Sequence, residues 1–264
     1  MENLIGKGRT ADVFGYGENK VIKVFHKQFS HLAIVEYERA KIIDNLEISA
    51  PHAYEVLDID DKKCIVYEYI QGISMLQSMQ RNPLKIRIYA RQLADMHAEM
   101  HSKSVPTLPN IKESLSRAIW NVQSINKKDR DAILSYLETL PNGDRLCHYD
   151  FHPGNVMIFN GNASVIDWMT AGSGDPCADI CRTSLILESN VQPYDMSTVE
   201  RLTLHVFRKI FYRNYIKQYL QTTGIAIQQV ERWLLPVAAA RLNEGIESEL
   251  PYLKSIIHQE LLVI

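Results

Sequence analysis

Several large classes of protein are excluded by what this chain lacks. It has four cysteines, Cys64, Cys147, Cys177 and Cys181, without paired metal-ligand spacing and without the density of a small secreted disulfide fold. Buried, reduced thiols are the expectation. Nowhere do roughly 18 apolar residues follow one another, the length a membrane helix needs. The opening Met1-Glu2-Asn3-Leu4-Ile5-Gly6 has no basic stretch with an apolar run behind it, so a cytoplasmic protein without a membrane partner is expected. Lys and Arg number 29 against 31 Asp and Glu, a formal charge of -2, so no field of one sign is available to hold nucleic acid. Internal repeats and low-complexity tracts are missing, as is any Gly-x-x-x-x-Gly-Lys-Ser/Thr run, which disfavours a P-loop fold. What remains is a chain of 264 residues, 46% apolar, long enough for one large domain or two lobes.

The first seventy residues read as β structure. Short segments at Asn3–Ile5, Asp12–Tyr16 and Lys20–Phe25 are punctuated by glycine and predict a three-stranded antiparallel meander. A helix follows from about Ser30, placed to cap it, to Leu46, with Leu32, Val35, Ala40, Ile43 and Leu46 near one face. Strands at Tyr54–Ile59 and Cys64–Tyr69, joined by an acidic turn, complete a five-stranded sheet carrying one helix. At Gln71-Gly72 the pattern changes to helices: Ser74–Gln80, Pro83–Ser102, Ile111–Ser124, Lys127–Leu140, Pro176–Ser189, Thr198–Tyr219, Ile227–Glu247 and Pro251–Ile264. Only a hairpin at Val156–Phe159 and Ala163–Ile166, turning at Asn160-Gly161-Asn162, interrupts them. The expected fold class is therefore α+β, with a β-rich lobe at 1–71 and a helical lobe at 72–264.

The chemistry concentrates in His148-Tyr149-Asp150-Phe151-His152-Pro153-Gly154-Asn155, followed by Val165-Ile166-Asp167. This spacing gathers a proton acceptor, a carboxamide and a second carboxylate, the set required to move a phosphoryl group from a magnesium-bound nucleotide. Asp150 is the candidate base, and Asn155 and Asp167 are hard oxygen ligands for Mg²⁺. Singly, each has a plainer explanation as a turn residue, a cap or a strand-end acid. Upstream, Gly6-Lys7-Gly8-Arg9-Thr10-Ala11 is a glycine-rich hairpin where backbone N–H groups can approach phosphates, or simply a tight turn. Lys23 shares a strand face with Val21 and Phe25 and needs a partner unless it reaches water from an edge strand. Glu36 is that partner on the next helix, with Glu38 as the alternative. His97 falls on the apolar stripe Ala90, Leu93, Ala94 and is read as a core histidine.

These segments, together with Ile65-Val66-Tyr67-Glu68-Tyr69-Ile70-Gln71-Gly72 and Gly174-Asp175-Pro176-Cys177-Ala178-Asp179-Ile180, resemble in order and over the whole chain the aminoglycoside phosphotransferase family. That family is similar in fold to protein kinases and includes kinases for choline, homoserine and methylthioribose. The resemblance implies a bilobal protein-kinase-like fold, with Gly6, Gly8, Lys23, Glu36 and the backbone of Glu68 and Ile70 holding the nucleotide. It also implies that His148 supports the catalytic loop and that a buried Asp179 accepts hydrogen bonds from that loop's backbone. Leu93-Ala94-Asp95-Met96-His97 is a loose version of the helix end that packs under the loop in similar proteins. Asp175 before Pro176 reads as an N-cap.

The function expected is ATP- and Mg²⁺-dependent transfer to a hydroxyl of a small molecule, either an aminoglycoside-type antibiotic or a metabolite such as an amino alcohol, amino acid or sugar. GTP is left open as the donor. The rivals are a protein kinase-like enzyme and a silent nucleotide-binding regulator. Only eight residues separate Asp167 from Pro176, too short a segment for a peptide platform, and Trp168 stands where a protein kinase has phenylalanine. For the acceptor, Glu244 continues the stripe Trp233, Val237, Ala240. It is either a cap near Gly245 or an anchor for a cationic or polyhydroxyl substrate.

Overall fold

The structure, a computed structural model, describes residues 3–189 and 197–264. The chain forms two compact units, Met1–Arg81 with Pro153–Ala171 and Asn82–His152 with Gly172–Ile264.

The first unit is built on an antiparallel sheet in the order β1-β2-β3-β5-β4, from Leu4–Lys7 (β1), Ala11–Gly15 (β2), Lys20–Phe25 (β3), Ala53–Ile59 (β4) and Lys62–Glu68 (β5). Strand alternation divides β3 between two cores. Phe25 with Val21 packs towards Ala33 and Ala40 of helix α1 (Leu32–Ile43), while Ile22 and Val24 join Cys64 and Val66 on the opposite face. The β4–β5 turn places Asp60 and Asp61 at φ 49° and 60°, the paired left-handed residues that suit a tight hairpin. Helix α1 buries Ala33, Glu36, Ala40 and Ile43, a stripe rotated from the expected one, and Val35 is exposed. Ser30 does not cap this helix. Its hydroxyl accepts the Lys63 N–H at 2.8 Å and so ties the helix start to β5.

A smaller sheet of Ile73–Ser74 (β6), Val156–Phe159 (β8) and Asn162–Val165 (β9) completes this unit beside helix α2 (Met75–Arg81). The β8–β9 hairpin turns at Asn160 and Gly161, both at positive φ. It is fixed to the chain after α1 by the Val165 N–H on the Ser49 carbonyl at 2.8 Å. Gly72 precedes β6 at φ +110°, and a Cβ there would stand 2.1 Å from the Ile158 carbonyl oxygen, a position no L side chain fills.

The second unit packs helices α3 (Ile86–Ser102), α4 (Ile111–Asn121), α5 (Lys127–Thr139), α6 (Pro176–Glu188), α7 (Thr198–Thr223), α8 (Ile227–Glu231), α9 (Leu234–Arg241) and α10 (Leu250–Leu261) with a two-stranded ribbon of Arg145–Cys147 (β7) and Gly172–Gly174 (β10). The caps are local and legible. Asn110 accepts the Glu113 N–H, Asn126 the Asp129 N–H, and Asp175 the Cys177 N–H with Pro176 in the first turn. Helix α7 runs past the expected Tyr219 and stops at Gly224, φ 73°. The expected helix Ile227–Glu247 is broken, with α8 ending at Glu231 and α9 starting at Leu234. Pro236 has no N–H for the Arg232 carbonyl, and the Tyr136 hydroxyl donates to that carbonyl instead, at 3.1 Å. The strands β6, β7 and β10 were not expected. All four cysteines are buried and free.

Candidate active site

Register puts Lys23 on a central strand, opposite Val13 of β2 and Ile65 of β5, so it has no edge route to water. Its Nζ lies 2.8 Å from both carboxylate oxygens of Glu36 and 3.0 Å from Asp167 Oδ1. Glu36 is 1% exposed and also accepts the Tyr67 hydroxyl at 3.0 Å, whereas Glu38 is exposed. Burial works against the Lys23 ammonium, but the charges of Glu36 and Asp167 outweigh it and raise the lysine above its ordinary value. The ammonium is thereby held charged and fixed between two carboxylates.

The β8–β9 hairpin explains why Asn155 and Asp167 belong together. Val156 pairs with Val165, and one step beyond, the Ile166 N–H donates to the Asn155 carbonyl at 2.9 Å. Both residues therefore stand at the open end of one ladder. Asp167 sits at φ 66°, ψ 63°, a costly conformation for a residue with a Cβ and one that clusters at functional positions. Trp168 anchors the following turn, with its ring buried and its Nε1–H on the Val165 carbonyl at 3.1 Å. The donor set of one carboxamide and one carboxylate, the latter already attracting a cation, fits a hard ion such as Mg²⁺ that takes few protein oxygens.

In the glycine hairpin, the Gly8 N–H donates to the Ala11 carbonyl at 2.9 Å, and a Cβ on Gly8 would meet that same oxygen at 2.9 Å. A Cβ on Gly6 would make only an ordinary contact, 4.0 Å from the Val13 Cβ, and its φ is not positive. Packing therefore requires Gly8 and leaves Gly6 to be explained otherwise. Glu68 ends β5, its N–H donating to the His52 carbonyl at 2.8 Å, and Ile70 follows it, half-buried.

In the second unit the loop bearing Asp150 is held from beneath. Asp179, fully buried, accepts the N–H groups of His148 at 2.6 Å and Tyr149 at 2.9 Å. Two imidazoles flank the same carboxylate, with His97 Nε2 at 3.1 Å and His101 Nε2 at 3.3 Å from Oδ2. Each ring meets a tyrosine hydroxyl at its Nδ1, Tyr215 and Tyr219 respectively, both at 2.7 Å. Burial alone would push Asp179 up; the imidazoles of His97 and His101 reverse this and hold it far below the usual carboxylate range. Burial, aided by His101, lowers His97 to about 4, so the ring is neutral near pH 7. Above this plinth Tyr149 takes φ 62°, the Asp150 N–H faces His148 Nδ1 at 3.3 Å, and Asp150 remains a third exposed, with His152 Nε2 3.8 Å from its Oδ2.

The sequence reading found Asp179 and His97 but missed His101, Tyr215 and Tyr219. The available signal was two pairs, His97/His101 and Tyr215/Tyr219, each one helical turn apart. It also missed Arg182 and Arg241. Arg182 hydrogen-bonds Glu244, and its Nη2 lies 4.0 Å from Asp150 Oδ1. Arg241 reaches Glu244 at 3.4 Å and makes a two-pronged, buried pair with Glu249.

A five-stranded sheet with a lysine clamped to a helix glutamate, followed by a helical unit with a braced aspartate loop, defines a kinase-fold small-molecule phosphotransferase. The chain belongs to the APH family, the phosphotransferase enzyme family, whose profile matches residues 4–209. Among solved structures it is similar to the aminoglycoside phosphotransferase APH(2'')-IIa in its streptomycin–ATP complex, with 21% identity, 97% of this chain and 90% of that one covered, and a TM-score of 0.58. It is likewise similar to a thermostable mutant of APH(4)-Ia bound to AMP-PNP and hygromycin B, with 13% identity, 97% and 91% coverage and a TM-score of 0.66. A third relative in fold is the amicoumacin kinase hAmiN with AMP-PNP, Ca²⁺ and amicoumacin, with 16% identity, 97% and 88% coverage and a TM-score of 0.62. A search of curated proteins finds no match. No helix among the described residues is long and apolar enough to cross a membrane.

Proposed function

We propose that this enzyme transfers the γ-phosphoryl group of ATP, with Mg²⁺, directly to a hydroxyl of a small molecule. The observation that carries this reading is the Lys23–Glu36 pair with Asp167 against it, because a fixed ammonium beside an oxygen-ligand pair suits a polyphosphate and its cation. Lys23, oriented by Glu36, would hold the α- and β-phosphates. Gly6 and Gly8 would let the hairpin backbone approach them, and the freedom of Gly6 from any packing demand supports this. The backbone of Glu68 and Ile70 would receive the adenine.

Asn155 and Asp167 would hold the Mg²⁺, which supplies charge neutralisation on the phosphates when bound. Asp150 accepts the acceptor's hydroxyl proton, or its hydrogen bond, and so orients the oxygen for in-line attack. His148 and Asp179 keep its loop in place. On this reading residues 1–71 serve the nucleotide, and 72–264 serve catalysis and the acceptor. The acceptor is an aminoglycoside-type compound or a metabolite such as an amino alcohol, amino acid or sugar. The three structural relatives are complexes with streptomycin, hygromycin B and amicoumacin, which makes amine-bearing polyols the first to try. Glu244 remains a candidate acceptor anchor, but a cationic substrate would compete there with Arg182 and Arg241.

ATP consumption, with and without Mg²⁺, against a panel of aminoglycosides, macrolides, amino alcohols, amino acids and sugars tests the reading. Acceptor-dependent turnover that requires Mg²⁺ and collapses in Asp150→Asn supports it. Mg-ATP binding without turnover on any acceptor or on water points to a silent nucleotide-binding protein.

A further inference from the structure

Arg182 lies on α6 three residues after Asp179, so both face the Asp150 loop from one helix. Its side chain is 5% exposed, and its guanidinium touches consecutive loop residues. It stands over the Tyr149 ring at 5.5 Å and brings Nη2 to 4.0 Å from Asp150 Oδ1. The same nitrogen is gripped by Glu244, which Arg241 holds at 3.4 Å, while Arg241 is itself fixed by Glu249. The fold accommodates this cation at a cost. Arg182 Nε and the Tyr149 hydroxyl are buried without a hydrogen-bond partner, and a buried ion pair stabilises a fold no better than an apolar packing of equal volume. Stability alone therefore gives weak grounds for an arginine at this position.

The geometry points to Arg182 as a positioning residue for the proposed phosphoryl transfer, acting through Asp150 and held in place by Glu244, Arg241 and Glu249. A fixed cation behind one carboxylate oxygen sets the side-chain angle of Asp150, and so the direction in which its other oxygen meets an attacking hydroxyl. Glu244, on this view, serves the reaction by orienting Arg182. The inference rests on the proposed function, since it gives Arg182 a role only if Asp150 works in transfer.

The test uses the full chain with Mg-ATP and water as acceptor, following phosphate release, for wild type, Arg182→Met, Arg182→Lys, Glu244→Gln, Asp150→Asn and each of the first three combined with Asp150→Asn. Arg182→Met is expected to lower kcat on the order of 10- to 100-fold with the KM for ATP unchanged, less than the roughly 100- to 10,000-fold of a whole general-base contribution because Asp150 itself remains. Arg182→Lys should recover part of the loss and Glu244→Gln should lose less. In the Asp150→Asn background all three should cost less than about 2-fold, because the residue they act through is gone. If Arg182→Met does not fold, the lysine and glutamine variants carry the same cycle. Equal losses in both backgrounds, or a rise in the KM for ATP that matches the loss, would overturn the inference and leave a structural ion pair. If wild type and Asp150→Asn turn over equally, or neither turns over with water or with any acceptor of the panel above, the proposed function of Asp150 fails and the role of Arg182 falls with it.

Discussion

Lys23 and Glu36 are each expensive to bury and tolerable together. Removing the lysine alone strands a carboxylate that is 1% exposed, so Lys23→Ala is expected to lower stability by about 3 kcal/mol in urea unfolding, and Lys23→Ala with Glu36→Gln to recover much of it. Simple additivity of the two losses would show that the pair is not coupled. His97 gives a prediction with a definite sign. Its folded value is about 4 against an ordinary 6.5, so the unfolded chain takes up the proton first as the solution is acidified. The associated stability is complete above pH 6.5 and is lost as pH falls towards 4, a total of about 3 kcal/mol. Asp179 adds little slope in that window, because it is ionised there in both states and its own loss begins lower. Denaturation curves at several pH values should therefore show a fall between pH 6.5 and 4 that His97→Gln flattens.

At the scale of elements, period and punctuation made most of the architecture readable. Alternation in Val21-Ile22-Lys23-Val24-Phe25 predicts the two-faced strand β3 that the structure contains, and Asn160-Gly161 marks the separate β8–β9 hairpin. The caps Asp175, Asn110 and Asn126 follow the same local chemistry. Misreadings came where distant groups override local preference. Ser30 has the chemistry of a helix cap but serves β5. The apolar run Ile227–Glu247 has helical period, but Pro236 and the Tyr136 hydroxyl divide it. β6, β7 and β10 are two or three residues long and exist only through their partners, so no period could reveal them. Gly72 records one such long-range demand. Gly72→Ala is expected to cost at least about 2 kcal/mol, since it meets the Ile158 carbonyl as well as an unfavourable φ. Gly161→Ala, at φ +84° with nothing within 4 Å, should cost about 1 kcal/mol. Equal melting temperatures for the two variants would mean that the approach to Ile158 is not felt.

Across the whole molecule, each unit carries a different share of the proposed chemistry, and the sequence revealed the shares unequally. Asp150, Asn155 and Asp167 stand in one short stretch whose spacing is itself the signal. The brace beneath Asp150 is assembled from α3, α6 and α7, with contributors as far apart as His97 and Tyr219, and no spacing rule spans that distance. The division makes nucleotide binding separable from transfer. Asp167 accepts a hydrogen bond from Lys23 and in the proposed function would supply an anionic ligand for the cation, whereas Asp150 would face the acceptor. A ligand that binds only the folded state raises its apparent stability by about 2.7 kcal/mol at a hundred times its Kd. Saturating Mg-ATP should therefore raise the melting temperature of wild type and of Asp150→Asn alike. Asp167→Ala should lose the Mg²⁺-dependent part of that rise, because no carboxylate remains in the ligand pair and Asn155 contributes only a neutral oxygen. Calorimetric titration of Mg-ATP into the same three proteins gives the affinities directly. Wild-type binding by Asp167→Ala would remove that residue from the cation site, and lost binding in Asp150→Asn would show that the two functions are not divided in this way.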